Sequence, residues 1–266
     1  MTSYALAMKV VAVIQARMSS TRLPGKVMLP LGNKHVLERD IERVSRSRTV
    51  DEVVVATSES KSDDIIARYA DRNGAGVHRG SEEDVLDRMY EAAVDASADI
   101  VIRITGDCPL ISPKCIDAVV SRLRQSDADY ATNTLKQTLP RGLDVEAFTL
   151  DRFYEVEQAA TDPAEREHVT LYFRQNPDRF DLVNVRSEEI FDSETLLGRS
   201  DLRLTLDEAD DYELLRHIYE EIDPTNHLAI EDAVAFIDKR GLADINRNVD
   251  QKSPSESDTT DDSPFG

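Results

Sequence analysis

The sequence predicts an α/β fold built on a parallel sheet with helices on both faces. Three short runs rich in β-branched residues point to it: 9–15, 52–57 and 99–105. Each is mostly apolar and too short for a helix, as expected of strands buried on both faces. Helix-spaced patterns separate them, and strands alternating with helices give parallel sheets.

In order along the chain, the first run is Lys9-Val-Val-Ala-Val-Ile-Gln15. Val36, Leu37, Ile41 and Val44 then share one helix face. The second run, 52–57, precedes a shorter strand at Gly76-Val-His78, which Arg79 ends. Val85, Leu86, Met89, Tyr90 and Ala93 form a wide helical stripe, with Ser81 followed by Asp84 as its N-cap. Asp87 and Arg88 on that helix read as surface pairs. After residue 126 the rhythm changes. Short strands are expected at 129–132 and 144–148, helices at 150–160 and 165–174, and a strand at Leu202-Arg-Leu-Thr-Leu206. Two amphipathic helices follow, one carrying Tyr212, Leu215, Ile218, Tyr219 and Ile222, the other Ile230, Val234 and Ile237. The folded domain is expected over 1–247. Residues 248–266 are rich in Ser, Asp, Thr and Pro and too polar to order themselves.

The 266 residues carry 52 acidic against 32 basic side chains, a net charge of −20, and only eight of the basic residues are Lys. So anionic a chain is excluded from coating nucleic acid. No apolar run is long enough to span a membrane, and residues 1–9 lack a charged segment followed by an apolar one, so no signal peptide is read. Two cysteines, Cys108 and Cys115, are too few for a disulfide framework and suit a reducing cytoplasm.

The segment after the first strand, Gln15-Ala-Arg-Met-Ser-Ser-Thr-Arg-Leu-Pro-Gly-Lys26, holds three cations (Arg17, Arg22, Lys26) and three hydroxyls (Ser19, Ser20, Thr21). Loops at the carboxyl ends of parallel strands are where α/β folds place ligands. Cations, hydroxyls and backbone N–H groups together suit a polyphosphate. The loop is not a Walker A loop, since Val27 follows Lys26 and the leading glycine is missing. Asp107, just past the third strand and beside Gly106, is placed either to hold Mg²⁺ or to form a turn. Asp207, ending a later strand, is its natural partner carboxylate, while Asp210 and Asp211 suit the cap of the next helix. Cys108 has no base nearby in sequence and reads as packing.

Ala16-Arg17, Ser20, Arg22-Leu23-Pro24 and Lys26 match the A-R-x-x-S-x-R-L-P-x-K signature, and on these residues the chain resembles the sugar-acid cytidylyltransferases. These are the Kdo and acylneuraminate enzymes, and the spore coat polysaccharide branch is the most similar. The likeness runs over about 9–240 and includes 78–88, Arg103-Ile-Thr-Gly-Asp-Cys-Pro-Leu110, Glu165-Arg-Glu-His-Val169 and Leu204-Thr-Leu-Asp-Glu208. It implies a Rossmann-like nucleotide-diphospho-sugar transferase fold, with a mixed, mostly parallel sheet. It also implies an insert at about 130–200 that forms a homodimer.

The implied reaction is transfer of CMP from CTP to a 2-keto-3-deoxy sugar acid, with release of pyrophosphate, for surface polysaccharide. By the same resemblance Arg17 and Lys26 are catalytic. Ala16, Arg17, Ser20, Arg22, Lys26, Arg79, Thr105 and Gly106 bind the nucleotide, Arg79 near the base. Asp107 and Asp207 hold Mg²⁺. Arg103, Arg141, Asp144, Glu167 and His168 are candidates for the acceptor, although Arg141 equally suits a turn and His168 a helix surface or core. Thr105 departs from the Gln that the Kdo and sialate branches carry there. Two rival chemistries share this pattern: a nucleotidyltransferase for another base or a sugar phosphate, and a metal-dependent glycosyltransferase.

The acidic surface also fits adaptation to a salt-rich interior, where screening relieves repulsion between carboxylates. On that reading, thermal melts in rising KCl show the melting temperature climbing up to molar salt. A flat or falling trend removes the adaptation.

Overall fold

A computed structural model of the chain describes residues 8–222 and 228–250. The expected polar tail falls mostly on residues 251–266, outside the described residues. The first strand, β1 (Val10–Gln15), leads through a loop and a single 3₁₀ turn (Lys26–Met28) to a small hairpin, β2 (Pro30–Leu31) and β3 (Lys34–His35). There follow α1 (Val36–Val44), β4 (Glu52–Ser58), α2 (Asp64–Arg72), β5 (Gly76–Gly80), α3 (Val85–Asp95), β6 (Ile100–Thr105) and α4 (Pro113–Gln125). The second part adds β7 (Tyr130–Thr132), β8 (Glu146–Thr149), α5 (Leu150–Ala159), α6 (Pro163–His168), α7 (Leu171–Gln175), β9 (Leu182–Asn184) and α8 (Ser187–Ile190). It ends in α9 (Ala209–Glu221) and α10 (Ile230–Arg240).

The main sheet has seven strands in the order β5-β4-β1-β6-β8-β7-β9. β5, β4, β1 and β6 run parallel, as the alternation of strands and helices predicts. β8 is antiparallel to both β6 and β7, and β9 is parallel to β7. The 130–200 region therefore extends the same sheet.

Period-two alternation sorts β1 between two cores. Val10, Ala12 and Ile14 pack into one core, while Val11 and Val13 pack into the other on the opposite face. The first core lies under α1, α4, α9 and α10 (Leu37, Ile116, Leu215, Val234). The second lies under α3, α5 and α7 (Met89, Phe153, Phe173). Each buried Val, Leu or Ile contributes about 1.5–3 kcal/mol. A strand buried on both faces is for that reason uniformly apolar, and the same pattern made it legible.

Four expectations need correction. The strand expected at Leu202–Leu206 is extended, and Leu202, Leu204 and Leu206 are buried as its alternation requires. It joins no sheet, because its backbone bonds to two loops instead. Arg141 N–H donates to Leu202 O (3.1 Å), Leu204 N–H to Arg141 O (2.7 Å) and Leu206 N–H to Asp107 O (2.8 Å). The helix expected at 165–174 is two short helices, α6 and α7, broken at Val169, where φ is 53°. Arg79 lies within β5 rather than past its end. Arg88 is buried, not a surface residue, and its guanidinium donates to the Ser81 and Glu82 carbonyls. The helix start at 81–84 is confirmed in a shifted form. Asp84 is the N-cap and accepts from Asp87 N–H, and Ser81 Oγ accepts from Asp84 N–H.

Gly142 makes the strap across 202–206 possible. Its φ is +96°, and a Cβ there would lie 2.6 Å from the Leu204 carbonyl carbon and oxygen. Gly142→Ala therefore loses at least ~2 kcal/mol from strain and displaced backbone, read as a lower urea midpoint at unchanged slope. A midpoint equal to that of the unsubstituted protein contradicts this account of the strap.

Candidate active site

The carboxyl ends of β1, β4 and β6 carry the loops that form the site. The loop after β1 is pinned by Asp63, which is buried at the start of α2. Its carboxylate accepts from Met18 N–H (2.8 Å), Ser58 N–H (3.1 Å) and the hydroxyls of Thr57 (3.1 Å) and Ser58 (2.6 Å). Gly25 N–H donates to Met18 O (2.9 Å), closing the loop and setting Lys26 at the first position of the 3₁₀ turn. Ala16 is buried, with its N–H on Ala56 O (3.1 Å), and Ser20 Oγ accepts from Leu23 N–H (3.4 Å).

On the neighbouring strand, Gly106 passes close to β1. A Cβ there would sit 2.8 Å from Gln15 O and 3.1 Å from the Ala16 Cβ, so only glycine fits without a shift. This contact delivers Asp107 to the mouth of the loop. The strap then brings in Asp207, because Asp107 O accepts from Leu206 N–H and also from the Thr205 hydroxyl (3.3 Å).

Lys26 Nζ lies between the two carboxylates, 2.6 Å from Asp107 Oδ2 and 2.8 Å from Asp207 Oδ1. Arg22 approaches the same Asp207 oxygen at 2.9 Å, and Arg203 bonds its other oxygen. Asp211 is fully buried. It takes Arg203 Nε (2.9 Å), Asn246 Nδ2 (2.8 Å) and the N–H groups of Asp207 (2.9 Å) and Glu208 (3.0 Å). The N-cap of α9 is Glu208 rather than Asp210 or Asp211; Asp211 is the third helical residue, whose carboxylate reaches back to the Glu208 N–H and also fixes the backbone of Asp207.

Burial works against the Lys26 ammonium, but Asp107 and Asp207 outweigh it and push its pKa up to about 12. Burial likewise raises the Asp107 carboxyl, and Lys26 overrides that and holds it below the usual carboxylate range. Both groups stay ionised at neutral pH. That state suits an electrostatic task rather than proton transfer. Cys108 is buried beside them, its thiol pushed up by burial and by the Asp107 charge, in keeping with a packing role. Thr105 Oγ1 lies 3.2 Å from the Cys108 sulfur.

The three loop cations therefore separate. Lys26 and Arg22 converge on Asp207, whereas Arg17 faces the opposite wall, 3.5 Å from Glu82 O and 3.9 Å from Glu167. Ser19 donates to Glu82 (2.6 Å), so 80–84 forms the second lip of the cleft. Arg88 supports that lip from below, and burial together with nearby Arg17 lowers its pKa to about 10. Arg79 stands at the edge of the cleft. Its guanidinium donates to the Ser58 (2.9 Å) and Ser60 (2.8 Å) carbonyls and pairs with Asp64.

Among the acceptor candidates, Arg103 and His168 line one cavity together with Glu146, Thr170, Leu171 and Arg174. Arg141 serves the strap through its backbone. Asp144 accepts from Gln137 (3.3 Å), and burial raises its carboxyl.

Asp63, Arg88, Glu146, Arg174, Arg203 and Asp40 were missed in the sequence. For Glu146 a signal existed, a carboxylate inside the apolar run 145–148. Asp40 lies on α1 with no exposure, and among the described residues neither carboxyl oxygen has a hydrogen-bond partner. Burial, reinforced by Asp107, raises its pKa well above the usual value, against the opposing pull of Arg43 and Lys26.

Cations in the loop after β1, facing a carboxylate pair from the end of β6 (Asp107) and from the strap (Asp207), fit a nucleotidyltransferase. The family described as Cytidylyltransferase matches residues 11–231, and the chain belongs to that family as a CTP-dependent enzyme. It is 31% identical over 243 residues to the spore coat polysaccharide biosynthesis protein SpsF of Bacillus subtilis, covering 90% of this chain and 98% of that one. It is 35% identical over 196 residues to the 3-deoxy-manno-octulosonate cytidylyltransferase of Geobacter sulfurreducens, covering 71% and 72%. A solved cytidylyltransferase structure from Leptospira borgpetersenii superposes with a TM-score of 0.82 at 35% identity, covering 92% of this chain and 100% of that one. Among the described residues no helix is long and apolar enough to cross a membrane.

Asp40 gives a prediction of sign. A carboxyl whose folded pKa is raised supports the fold fully below its unfolded value, and that support is lost as pH rises through the folded value. Asp40→Asn mimics the protonated form. Its melting temperature should exceed that of the unsubstituted protein at pH 7, and the gap should shrink as both are acidified. A gap independent of pH contradicts the assignment.

Proposed function

We propose that the enzyme transfers CMP from CTP to a sugar acid of the 2-keto-3-deoxy type, releasing pyrophosphate, in the making of a surface polysaccharide. The observation that carries this reading is Lys26 clamped between Asp107 and Asp207 at the end of the nucleotide loop. The SpsF and Kdo cytidylyltransferase relatives support the acceptor class.

Bound CTP meets an ammonium that is already desolvated, charged and aimed. Lys26 and Arg17, on opposite walls of the cleft, take up the triphosphate and offset the charge that builds on the leaving pyrophosphate. A sugar hydroxyl attacks the α-phosphorus, and the new phosphorus–oxygen bond forms as the bond to pyrophosphate breaks. The protein contributes position and charge to such a reaction rather than covalent chemistry. Ala16, Ser20, Arg22, Thr105 and Gly106 shape the nucleotide side of the cleft, and Arg79 belongs to its base end.

The donor set also fits Mg²⁺. Two hard-oxygen carboxylates converge on one cation position, now taken by Lys26 Nζ. Among the described residues no three His, Cys, Asp or Glu side chains cluster for a metal. Mg²⁺ typically uses one or two carboxylates and completes its shell with water and phosphate. Asp107 and Asp207 would hold the ion, and when bound it polarises the phosphate oxygens. A homodimer through residues 130–200 and a cytoplasmic location belong to the same reading, as does the salt-adapted surface.

Pyrophosphate release measured with CTP, UTP, GTP and dTTP against a panel of 2-keto-3-deoxy acids tests the proposal. CTP and at least one acid should be turned over, in a Mg²⁺-dependent way. Lys26→Ala should cost about 10²–10³ in kcat. Turnover of a sugar phosphate instead, or an unimpaired Lys26→Ala enzyme, refutes it.

A further inference from the structure

The cavity beside the cleft contains a charge arrangement that the nucleotide chemistry does not use. Its floor is Glu146 on β8, paired in register with Arg103 on β6. Glu146 is buried, and both of its oxygens are engaged. Oε1 accepts from the Tyr130 hydroxyl, Thr170 Oγ1 (2.7 Å) and Arg174 Nη2 (2.7 Å), and Oε2 accepts from Arg103 Nη1. Burial alone would raise this carboxyl, but Arg103 and Arg174 overcome it and hold its pKa to about 2.

The two guanidiniums are held by other contacts as well. Arg103 Nε donates to Gln15 Oε1 (3.1 Å) at the end of β1. Arg174 donates to the Tyr130 hydroxyl (3.2 and 3.3 Å) and the Thr134 hydroxyl (2.5 Å). Each arginine nevertheless keeps one terminal nitrogen unused. Among the described residues Arg103 Nη2 and Arg174 Nη1 make no hydrogen bond. Both side chains line a cavity of about 90 Å³, with His168 on its wall.

Two fixed guanidiniums that line one cavity, each with a spare donor, suit an oxyanion. One buried carboxylate beneath them cancels half of their charge. The pocket therefore carries one net positive charge from these three groups, which matches a carboxylate and falls short of a phosphate dianion.

We propose that Arg103 and Arg174 bind the carboxylate of the acceptor sugar, and that Glu146 restricts the pocket to singly charged groups. Glu146 is then a specificity residue that separates sugar acids from sugar phosphates. The proposal rests on the sugar-acid reading above and deepens it.

The test uses CTP with 3-deoxy-manno-octulosonate and N-acetylneuraminate as acceptors, and inorganic phosphate as a competitor varied against each substrate in turn. In Glu146→Gln the pocket gains one net positive charge, so the KM for the acid should not rise and the KM for CTP should hold. Phosphate should become competitive against the acid, with the preference for carboxylate over phosphate falling about tenfold as the like charge is removed. A merely structural role would weaken both anions alike, so an unchanged preference overturns the proposal.

Should Glu146→Gln fail to fold, Arg174→Lys keeps the charge and removes the fork. It should raise the acid KM and leave the CTP KM unchanged, and no rise in the acid KM also overturns the proposal. Failure of the unsubstituted enzyme to turn over either acid defeats the sugar-acid reading and this proposal together. Turnover with an unaltered carboxylate preference in Glu146→Gln defeats this proposal alone.

Discussion

Everything in the cleft is arranged around one ammonium group. Lys26 sits at the point where three parts of the chain meet, and it bonds carboxylates from the other two. Buried charges are tolerated when paired and strongly destabilising when one partner is lost, by about 3–5 kcal/mol. The surroundings reflect that constraint. Gly106 lets β6 close against β1, the strap at 202–206 carries Asp207 across, and Asp211 with Arg203 fixes Asp207 from behind. Arg22 adds a second cation so that Asp207 faces charge on more than one side. On the proposed function, substrate phosphates entering this lattice would exchange one set of ionic partners for another.

The parts of the structure that could be read from sequence are those whose cause is local. β1, β4 and β6 declared themselves because burial on both faces favours runs of Val, Ile and Ala, which Arg103 alone interrupts in the middle of β6. The nucleotide loop was legible because its cations, hydroxyls and glycine lie within twelve residues after a strand. Asp107 and Asp207 could be paired because each ends an apolar segment. What escaped was set by partners far along the chain. Leu202–Leu206 has the alternation of a strand, and its hydrogen bonds go to loops at 107 and 141. Arg88 looked like a surface cation because nothing near it in sequence marks the carbonyls of 81 and 82 as its acceptors. Glu146 and Arg174 are 28 residues apart and meet only once β8 and α7 have packed.

The same distinction bears on the net charge of −20. A whole-chain number says that the long-range field opposes a triphosphate. It does not show that the anionic groups nearest the site are already neutralised by Lys26, Arg22 and Arg203. The second cavity repeats the device beside the cleft, with two arginines and one glutamate. In both places a carboxylate serves to set arginine or lysine in place, which is one way for an acidic protein to bind anions.

The clamp joins residues 81 and 181 positions apart in the chain. A chain released before Asp207 could build most of the parallel sheet, yet it would leave Lys26 and Asp107 without the partner that completes their charge balance. The closed clamp is therefore a property of the finished polypeptide, and a clipped copy that lacks Asp207 keeps only half of the carboxylate pair around Lys26.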